Sequence, residues 1–366
     1  MTPGRLAIAD IDLSAVAANT AGMRRLIGSD VRFYGVCKGD AYGIGLERAA
    51  PVILEAGADA LAVADPADVA ALRAAGISAP VLLYPSTPPD IAGAVAALGA
   101  IVSLVDMESI AAFSNQATPV TAHAKIDCGF GRLGLTAEEW EPAFAAIRRS
   151  PGIRLIGLYT HLGHTDDNAE VDAQMQVFRR AVQAADAASF RNLELMAASS
   201  RVMIGYPHLK LNAVNPGRAL YGWLEATWGS KFAAMPAVTS IATRVIQIKT
   251  LPVGTKPGYL DPAPLARPLR VAVLAAGFVN GLPRLAHGLP VLIRGREAPT
   301  VGTRSTEHTV VDVSEIPAAA VGDEAVLLGR QGEAEITAER MAAVSGVPLI
   351  ELLPRVTRGM SRRYRS

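Results

Sequence analysis

Short apolar runs typical of buried β-strands recur eight times between residues 31 and 214 of this 366-residue chain. Such runs, bounded by turn residues, are expected where both faces of a strand are covered. They are Val31–Cys37, Ala60–Ala64, Pro80–Tyr84, Ile101–Val105, Thr121–Ile126, Ile153–Tyr159, Leu193–Ala197 and Leu211–Val214. Helical patterns lie between most of them, for example Ala67–Ala75, Ala137–Arg149 and Val171–Ala188. This alternation predicts a (β/α)8 barrel, which we assign to residues 1–235.

Local signals at the helix ends agree with this layout. Asp65-Pro66 predicts a helix start, because Asp accepts hydrogen bonds from free N–H groups and Pro fits the first turn. Gly76, Gly99 and Gly152 are predicted to end helices in a left-handed conformation. A doubly wound sheet is the competing interpretation, but it needs a Gly-rich phosphate loop after the first strand. Gly43-Ile44-Gly45 lacks the third glycine of that loop.

The pattern changes at about Pro236. Helical stretches nearly vanish, and β-like runs alternate with Gly, Pro and Asp turns. These runs are Thr243–Lys249, Arg270–Ala275, Pro290–Ile293, Thr309–Val313 and Ala325–Leu328. They predict a compact, mainly β domain at residues 236–366. The basic segment Arg355–Arg365 at its end is expected to be a solvated tail.

Composition narrows the classes of partner. Half of the residues are hydrophobic, which suits a large core, and the net charge of +1 gives no reason to expect nucleic acid or an anionic membrane. No apolar stretch approaches the roughly 20 residues of a membrane-spanning helix, and the first residues lack a signal-peptide pattern. The two cysteines, Cys37 and Cys128, are too few for a disulfide framework. We therefore expect a cytoplasmic protein with reduced thiols.

Polar residues collect where the predicted strands end, which is where barrels of this kind build active sites. In chain order they are Lys38 and Tyr42, Asp65, Tyr84, Asp106, Lys125 with Asp127 and Arg132, His161, Ser199 with Ser200, and Asn215 with Gly217. Lys38 alone could be a rim lysine paired with an acid. No Cys or His cluster has metal-ligand spacing. An amine together with a Gly-bearing turn suited to phosphate points to pyridoxal 5'-phosphate (PLP) on Lys38.

Six blocks of the sequence resemble the alanine racemase family and follow one another in the family's order. They are Val36–Gly45, Lys125–Gly134, Tyr159–Leu162, Val214–Gly222, Gly277–Arg284 and Asp323–Gly332. The resemblance covers nearly the whole chain. It implies a PLP-binding barrel followed by a β domain, racemisation of a small amino acid, and a head-to-tail homodimer. In such a dimer each active site borrows residues from the partner's β domain.

The resemblance also implies roles for single residues around the cofactor. Lys38 would hold PLP as a Schiff base and act as acid and base on one face of the substrate's α-carbon. Tyr42, Ser200 and the backbone at Gly217 and Arg218 would contact the phosphate.

Further roles concern the cofactor ring and the substrate. Arg132 would approach the ring oxygen and the substrate carboxylate, and His161 would lie against the pyridine ring. Asn215 would stand near the ring nitrogen. Lys125 matches a lysine that is often carbamylated in the family and that supports Arg132.

Several positions depart from the family pattern. Phe278 replaces the tyrosine that serves as second base, and Asn215 replaces an arginine at the ring nitrogen. Near the substrate, Thr306-Glu307 replaces a Met-Asp pair and is followed by His308. Met196 and Ser199 stand where the family has His and Asn.

These departures leave three hypotheses. The first is an amino-acid racemase in which Glu307 or His308 of a partner subunit replaces the missing tyrosine, and in which Thr306 helps to bind the substrate. The second is a PLP-dependent lyase or aldolase acting on a D- or β-hydroxy amino acid, since a base on one face suffices for it. The third is a non-catalytic PLP-binding protein.

Overall fold

A computed structural model describes residues 4–224, 231–260, 262–286 and 288–365 of the chain. The chain forms two compact units. One comprises Ala15–Ala41 and Gly45–Met235, and the other comprises Met1–Ser14, Tyr42–Ile44 and Pro236–Ser366. The sequence-based division at residue 235 therefore differs at the N-terminus, where the first strand belongs to the second unit.

The first unit is a closed barrel of eight parallel strands. Its strands are β2 (Arg32–Val36), β3 (Ala60–Val63), β4 (Val81–Leu83), β5 (Ile101–Leu104), β6 (Val120–Lys125), β7 (Ile153–Tyr159), β8 (Glu194–Ala198) and β9 (Ala213–Val214). β9 closes the barrel by pairing with β2. Every residue of β3, β4 and β5 is buried, as expected when helices cover the outside of a barrel and side chains fill its interior. The predicted fold is confirmed.

Helices connect the strands. They are α1 (Leu13–Ile27), α2 (Leu46–Glu55), α3 (Pro66–Ala74), α4 (Ala92–Ala97), α5 (Met107–Ser114), α6 (Trp140–Arg149), α7 (Asn168–Ala187) and α8 (Ser200–Gly205). Asp65 caps α3 by accepting from Ala67 N, as predicted. Gly76 and Gly99 have positive φ, but Gly152 does not. Gly152 is required for space instead, because an added Cβ would lie 2.9 Å from the carbonyl oxygen of Ser114.

Polar side chains fill part of the barrel interior. His123 is fully buried, and its Nε2 lies 3.3 Å from the Glu194 carboxylate, which accepts a hydrogen bond from the Tyr34 hydroxyl. A Cβ at Gly157 would meet the His123 ring at 2.8 Å, so β7 needs a glycine beside this imidazole. His123 is therefore a structural residue of the barrel interior, packed between β7 and the Glu194 carboxylate.

The second unit contains a nine-stranded sheet. Its strands are β1 (Ile8–Asp12), β10 (Val238–Leu251), β11 (Leu269–Leu274), β12 (Pro290–Ile293), β13 (Arg296–Pro299), β14 (Thr309–Asp312), β15 (Glu324–Gln331), β16 (Ala334–Ile336) and β17 (Ser361–Arg365). β10 pairs with β1, β11 and β15 and is the longest of them. Its mixture of buried and exposed positions is typical of an antiparallel strand with one solvated face.

The two ends of the chain meet in this sheet. β1 lies between β10 and β17, and Arg363 of β17 forms a two-pronged ion pair with the buried carboxylate of Asp10. The predicted solvated tail is therefore wrong, because residues 355–359 are helical and Ser361–Arg365 is paired with β1 along its backbone. Two helices, α9 (Ala338–Ser345) and α10 (Leu349–Gly359), precede β17 and were not predicted.

Candidate active site

Lys38 stands one residue after β2, behind Cys37, and starts a left-handed turn. Gly39, Asp40, Ala41 and Tyr42 have φ of 64°, 60°, 51° and 54°. This conformation costs a residue with a Cβ about 1–2 kcal/mol. Hydrogen bonds hold the turn in place: Ala41 N donates to Cys37 O at 2.7 Å, and the Asp40 carboxylate accepts from Leu46 N at 2.8 Å. Such strain is concentrated at functional sites.

The surroundings of Lys38 favour a neutral amine. Burial lowers the pKa of Lys38, and the positive charges of Arg132 and Arg218 lower it further. The Nζ atom lies 5.8 Å from the ring centroid of Tyr84. A lysine that loses its proton readily can act as a nucleophile and as a base.

A buried lysine, Lys125, anchors the loop that carries Arg132. Lys125, at the end of β6, donates from Nζ to Leu133 O at 2.9 Å and lies 5.7 Å from the Tyr159 ring centroid. Burial, together with the charge of Arg132, lowers the pKa of Lys125 to about 8. This contact ties the residue after Arg132 to the barrel.

The same loop is fastened at its start. The Asp127 carboxylate accepts from Gly129 N and Gly131 N. The Arg132 guanidinium stacks on Phe130 at 4.5 Å, and Phe130 meets the His161 ring edge-on at 5.2 Å. The loop therefore presents Arg132 in one orientation beside His161.

His161 is surrounded by positive charge. Burial lowers the pKa of His161 to about 4, and the charges of Lys38, Arg132, Lys125 and Arg218 add to the effect. The imidazole is neutral near pH 7 and offers a flat, uncharged face. These four cations and the histidine are the residues that the structure groups most clearly.

We expect His161 to make the protein less stable as the pH falls from about 6.5 to about 4. In this window His161 is protonated in the unfolded state and neutral in the folded state. Proton binding therefore stabilises the unfolded state and lowers the free energy of unfolding. Between pH 7 and pH 5 the free energy of unfolding should fall by about 1–2 kcal/mol less in His161→Gln than in wild type, allowing for solvent screening. Urea unfolding at pH 7 and pH 5 measures this, with the exposed His208→Gln as control. Equal losses in wild type and His161→Gln would contradict it.

The loop after β9 is built around Ser200. Its buried Oγ accepts from Gly217 N at 2.9 Å and from Ala219 N at 3.2 Å. A short 3-10 helix, Arg218–Tyr221, follows, and the Tyr221 hydroxyl donates to Val36 O of β2. A rigid turn bearing backbone N–H groups and a guanidinium suits an anionic group such as a phosphate.

Asn215, at the end of β9, is also part of the mouth of the barrel. Its Nδ2 donates to the Tyr84 hydroxyl at 3.0 Å. Sequence reasoning placed Tyr84 at a strand end without giving it a role. Tyr42, which it assigned to the phosphate, lies in the segment Tyr42–Ile44 that belongs to the second unit.

In the second unit, a tight turn brings together the residues that depart from the family pattern. Ser305 N donates to His308 O at 3.0 Å, and Thr306, Glu307 and His308 are exposed on the turn. Phe278 N donates to Ser305 O at 3.1 Å, so Phe278 lies beside them. Two titratable side chains therefore share a surface with the phenylalanine.

Arg304 holds this turn from behind, and sequence reasoning missed it. It is 1% exposed, and it donates to the carbonyls of Pro283 and Ala286 at 2.6 Å and to Thr300 Oγ1 at 3.0 Å. Burial lowers the pKa of Arg304 to about 10. An arginine in a loop is usually read as solvent-exposed, so the sequence carried no signal of this role.

The residues of the barrel mouth fit PLP. An amine with a lowered pKa suits the carbonyl of the cofactor, the Ser200 turn with Arg218 suits its phosphate, and the neutral His161 suits its ring. Within the described ranges, no group of three or more His, Cys, Asp or Glu is arranged to hold a metal ion.

Two protein-family models match the chain. Alanine racemase, N-terminal domain, matches residues 11–225, and alanine racemase, C-terminal domain, matches residues 238–364. Alanine racemases from Desulfosudis oleivorans and Symbiobacterium thermophilum are 32% and 34% identical to this chain. Each match covers 97% of this chain and 96% of the relative.

Solved structures agree. Alanine racemase from Corynebacterium glutamicum superposes with a TM-score of 0.85 at 30% identity, covering 99% of this chain and 100% of that one. The Bacillus anthracis enzyme with bound L-Ala-P has a TM-score of 0.91 at 26% identity, covering 100% and 96%.

Proposed function

Because this chain belongs to the alanine racemase family, we propose that it interconverts the L- and D-forms of alanine or a closely related small amino acid at the barrel mouth around Lys38. Racemisation with PLP is the activity of the family. The observation that carries the assignment to this site is the amine of Lys38, whose pKa is lowered by burial and by Arg132 and Arg218.

Residues of the barrel mouth would hold the cofactor. Lys38 supplies the amine, and Ser200, Gly217 and Arg218 supply the phosphate site, with Tyr42 as a further phosphate contact. His161 and Asn215 would flank the ring. When bound, PLP supplies an electron sink that makes the hydrogen on the α-carbon of an attached amino acid acidic.

Lys38 and Arg132 would then act directly on the substrate. The loop anchored by Asp127 and Lys125 presents Arg132, whose planar guanidinium binds a carboxylate in two-pronged fashion. Lys38, whose pKa is lowered by burial and by the charges of Arg132 and Arg218, takes a proton from one face of the α-carbon or returns it there.

The opposite face needs a second acid and base, and a homodimer would provide it. Apolar side chains around Phe278 are unusually exposed: Tyr259 56%, Val279 54% and Leu285 59%. The Arg284 guanidinium lies over both Tyr259 and Phe278. An exposed apolar cluster favours a protein interface. We propose that this surface of one copy covers the barrel mouth of another, with Glu307 or His308 as the second base and Thr306 beside the substrate.

A cytoplasmic location is part of the proposal. Both cysteines are buried and unpaired, as expected in a reducing compartment. Among the residues described here, no helix could cross a membrane.

Solvent-deuterium exchange at the α-carbon tests the function directly. The purified protein with PLP is incubated in D2O with a panel of L- and D-amino acids, and products are separated by chiral chromatography. We expect deuterium to appear in both enantiomers of alanine or of a small relative. Exchange in one enantiomer with release of an aldehyde would support the lyase instead. Bound PLP without any exchange would contradict both.

A further inference from the structure

Tyr84 and Asn215 form a hydrogen bond across the mouth of the barrel. Tyr84 directly follows β4 and Asn215 directly follows β9, with β2 and β3 between these strands on the shorter way around. The Asn215 side chain is 8% exposed, and its Nδ2 lies 3.0 Å from the Tyr84 hydroxyl oxygen. Because β4 and β9 are not adjacent strands, their pairing does not bring these two residues together. The contact depends on the two side chains themselves.

The ring of Tyr84 is held as firmly as its hydroxyl. On one side it meets the Tyr159 ring at 6.0 Å, and the Lys38 amine lies over it at 5.8 Å. Tyr159 is itself fixed, since its hydroxyl is 2.8 Å from Ser103 Oγ, which donates to Leu83 O. Tyr84 therefore links the Lys38 amine to the Asn215 amide through one rigid side chain.

The location of the pair gives it a role toward the cofactor. Asn215 precedes by two residues the turn at Gly217 that suits the phosphate. PLP carries its carbonyl and its phosphate on one ring, so Lys38 and the turn at Gly217, if both held it, would bring that ring to this mouth. Asn215 is a neutral polar residue at this mouth, and its amide can donate or accept depending on its orientation.

We propose that Tyr84 is a positioning residue of this site: its hydroxyl sets the orientation of the Asn215 amide toward the cofactor, and its ring supports the Lys38 amine. The inference rests on the proposed function and goes beyond it, because it assigns control of the cofactor to a pair of neutral side chains.

A double-mutant cycle on cofactor affinity tests the pair. Tyr84→Phe removes only the hydroxyl, Asn215→Ala removes the amide, and the third variant combines them. The dissociation constant of PLP is titrated against each apoprotein by absorbance. We expect each single change to weaken binding by about three- to tenfold, the worth of one hydrogen bond, and the double variant to bind no more weakly than the worse single one. Independent effects that multiply in the double variant would overturn the proposal.

A spectroscopic signature separates positioning from a general loss of structure. The absorbance maximum of the bound cofactor and its dependence on pH should change in Tyr84→Phe. Both should stay as in wild type in the control Tyr206→Phe. This variant also loses a tyrosine hydroxyl, but one that donates to Thr165 O and Asn168 Oδ1. If Tyr84→Phe does not fold, Asn215→Ser in the native background takes its place and must show the altered band. An unaltered band in the folded variant rejects the role of Tyr84.

The spectrum of the wild-type protein separates failure of the proposed function from failure of the positioning role of Tyr84. If it shows no cofactor band that depends on Lys38, the proposed function and this inference both fall. A normal wild-type band with variants that act independently rejects the positioning role alone.

Discussion

Lys38→Ala is expected to abolish racemisation and to remove the absorbance band of the lysine-bound cofactor. The variant loses both the covalent anchor and the acid and base on one face of the α-carbon, and the proton-transfer role alone is worth about 10²–10⁴-fold in rate. Lys125, a second lysine of the barrel with a lowered pKa, is not expected to replace it, because its Nζ donates to Leu133 O. Chiral chromatography of D- and L-alanine measures the rate, and a PLP spectrum measures the anchor.

A matched control makes the loss specific. Lys249 is an exposed lysine of the second unit, so Lys249→Ala should keep the wild-type rate. Added methylamine should partly restore turnover to Lys38→Ala, since it supplies an amine where the side chain is missing. Wild-type racemisation in Lys38→Ala without added amine would contradict the assignment.

Removal of the second base should produce the other large effect. Glu307→Gln or His308→Ala is expected to lower the racemisation rate by about 10²–10⁴-fold, because Phe278 has no proton to exchange on that face. Exchange of the α-hydrogen with D2O should continue in one enantiomer only, driven by Lys38. The measurement is the ratio of deuterium incorporated into D- and L-alanine.

The control for this prediction is Glu315→Gln, which neutralises another exposed glutamate of the same unit. It should leave both enantiomers exchanging. If Glu307→Gln and His308→Ala both turn over at the wild-type rate, another group serves the second face.

Mixed dimers test whether the second base comes from a partner subunit. Lys38→Ala and the less active of the Glu307 and His308 variants should each have little or no activity alone, and the two chains are co-expressed to form mixed dimers. One of the two sites then combines an intact Lys38 with an intact turn from the other chain, so activity should return to as much as half per dimer. No recovery would show that the base acts within its own chain.

The fold could be read from the sequence because its signals are local. Buried strands such as Ala60–Val63 are continuous apolar runs, and Asp65-Pro66 marks a helix start through its own chemistry. Where a local signal was ambiguous, the prediction failed. Helix α10 contains Pro354 in its interior, which argues against a helix in an isolated segment. Packing in the second unit overrides this local preference.

The site was only partly visible in the sequence. Lys38, Arg132, His161 and Ser200 stand at strand ends or in recognisable motifs, so their types and positions could be named in advance. The partners that tune them lie far away along the chain. Asn215 donates a hydrogen bond to Tyr84, 131 positions away along the chain. Arg304 donates to backbone carbonyls, which the pattern of apolar residues does not reveal.

The sequence by itself determined the order of strands and helices, the place of the amine and the departures at Phe278 and Asn215, because periodicity and motif spacing are properties of neighbouring residues. Only the tertiary structure decided that Lys38 and His161 are desolvated among cations, that the chain ends pair as β1 and β17, and that Glu307 and His308 share a turn beside Phe278. Burial, charge and hydrogen bonding depend on which distant segments meet in space, and pattern along a chain does not contain that information.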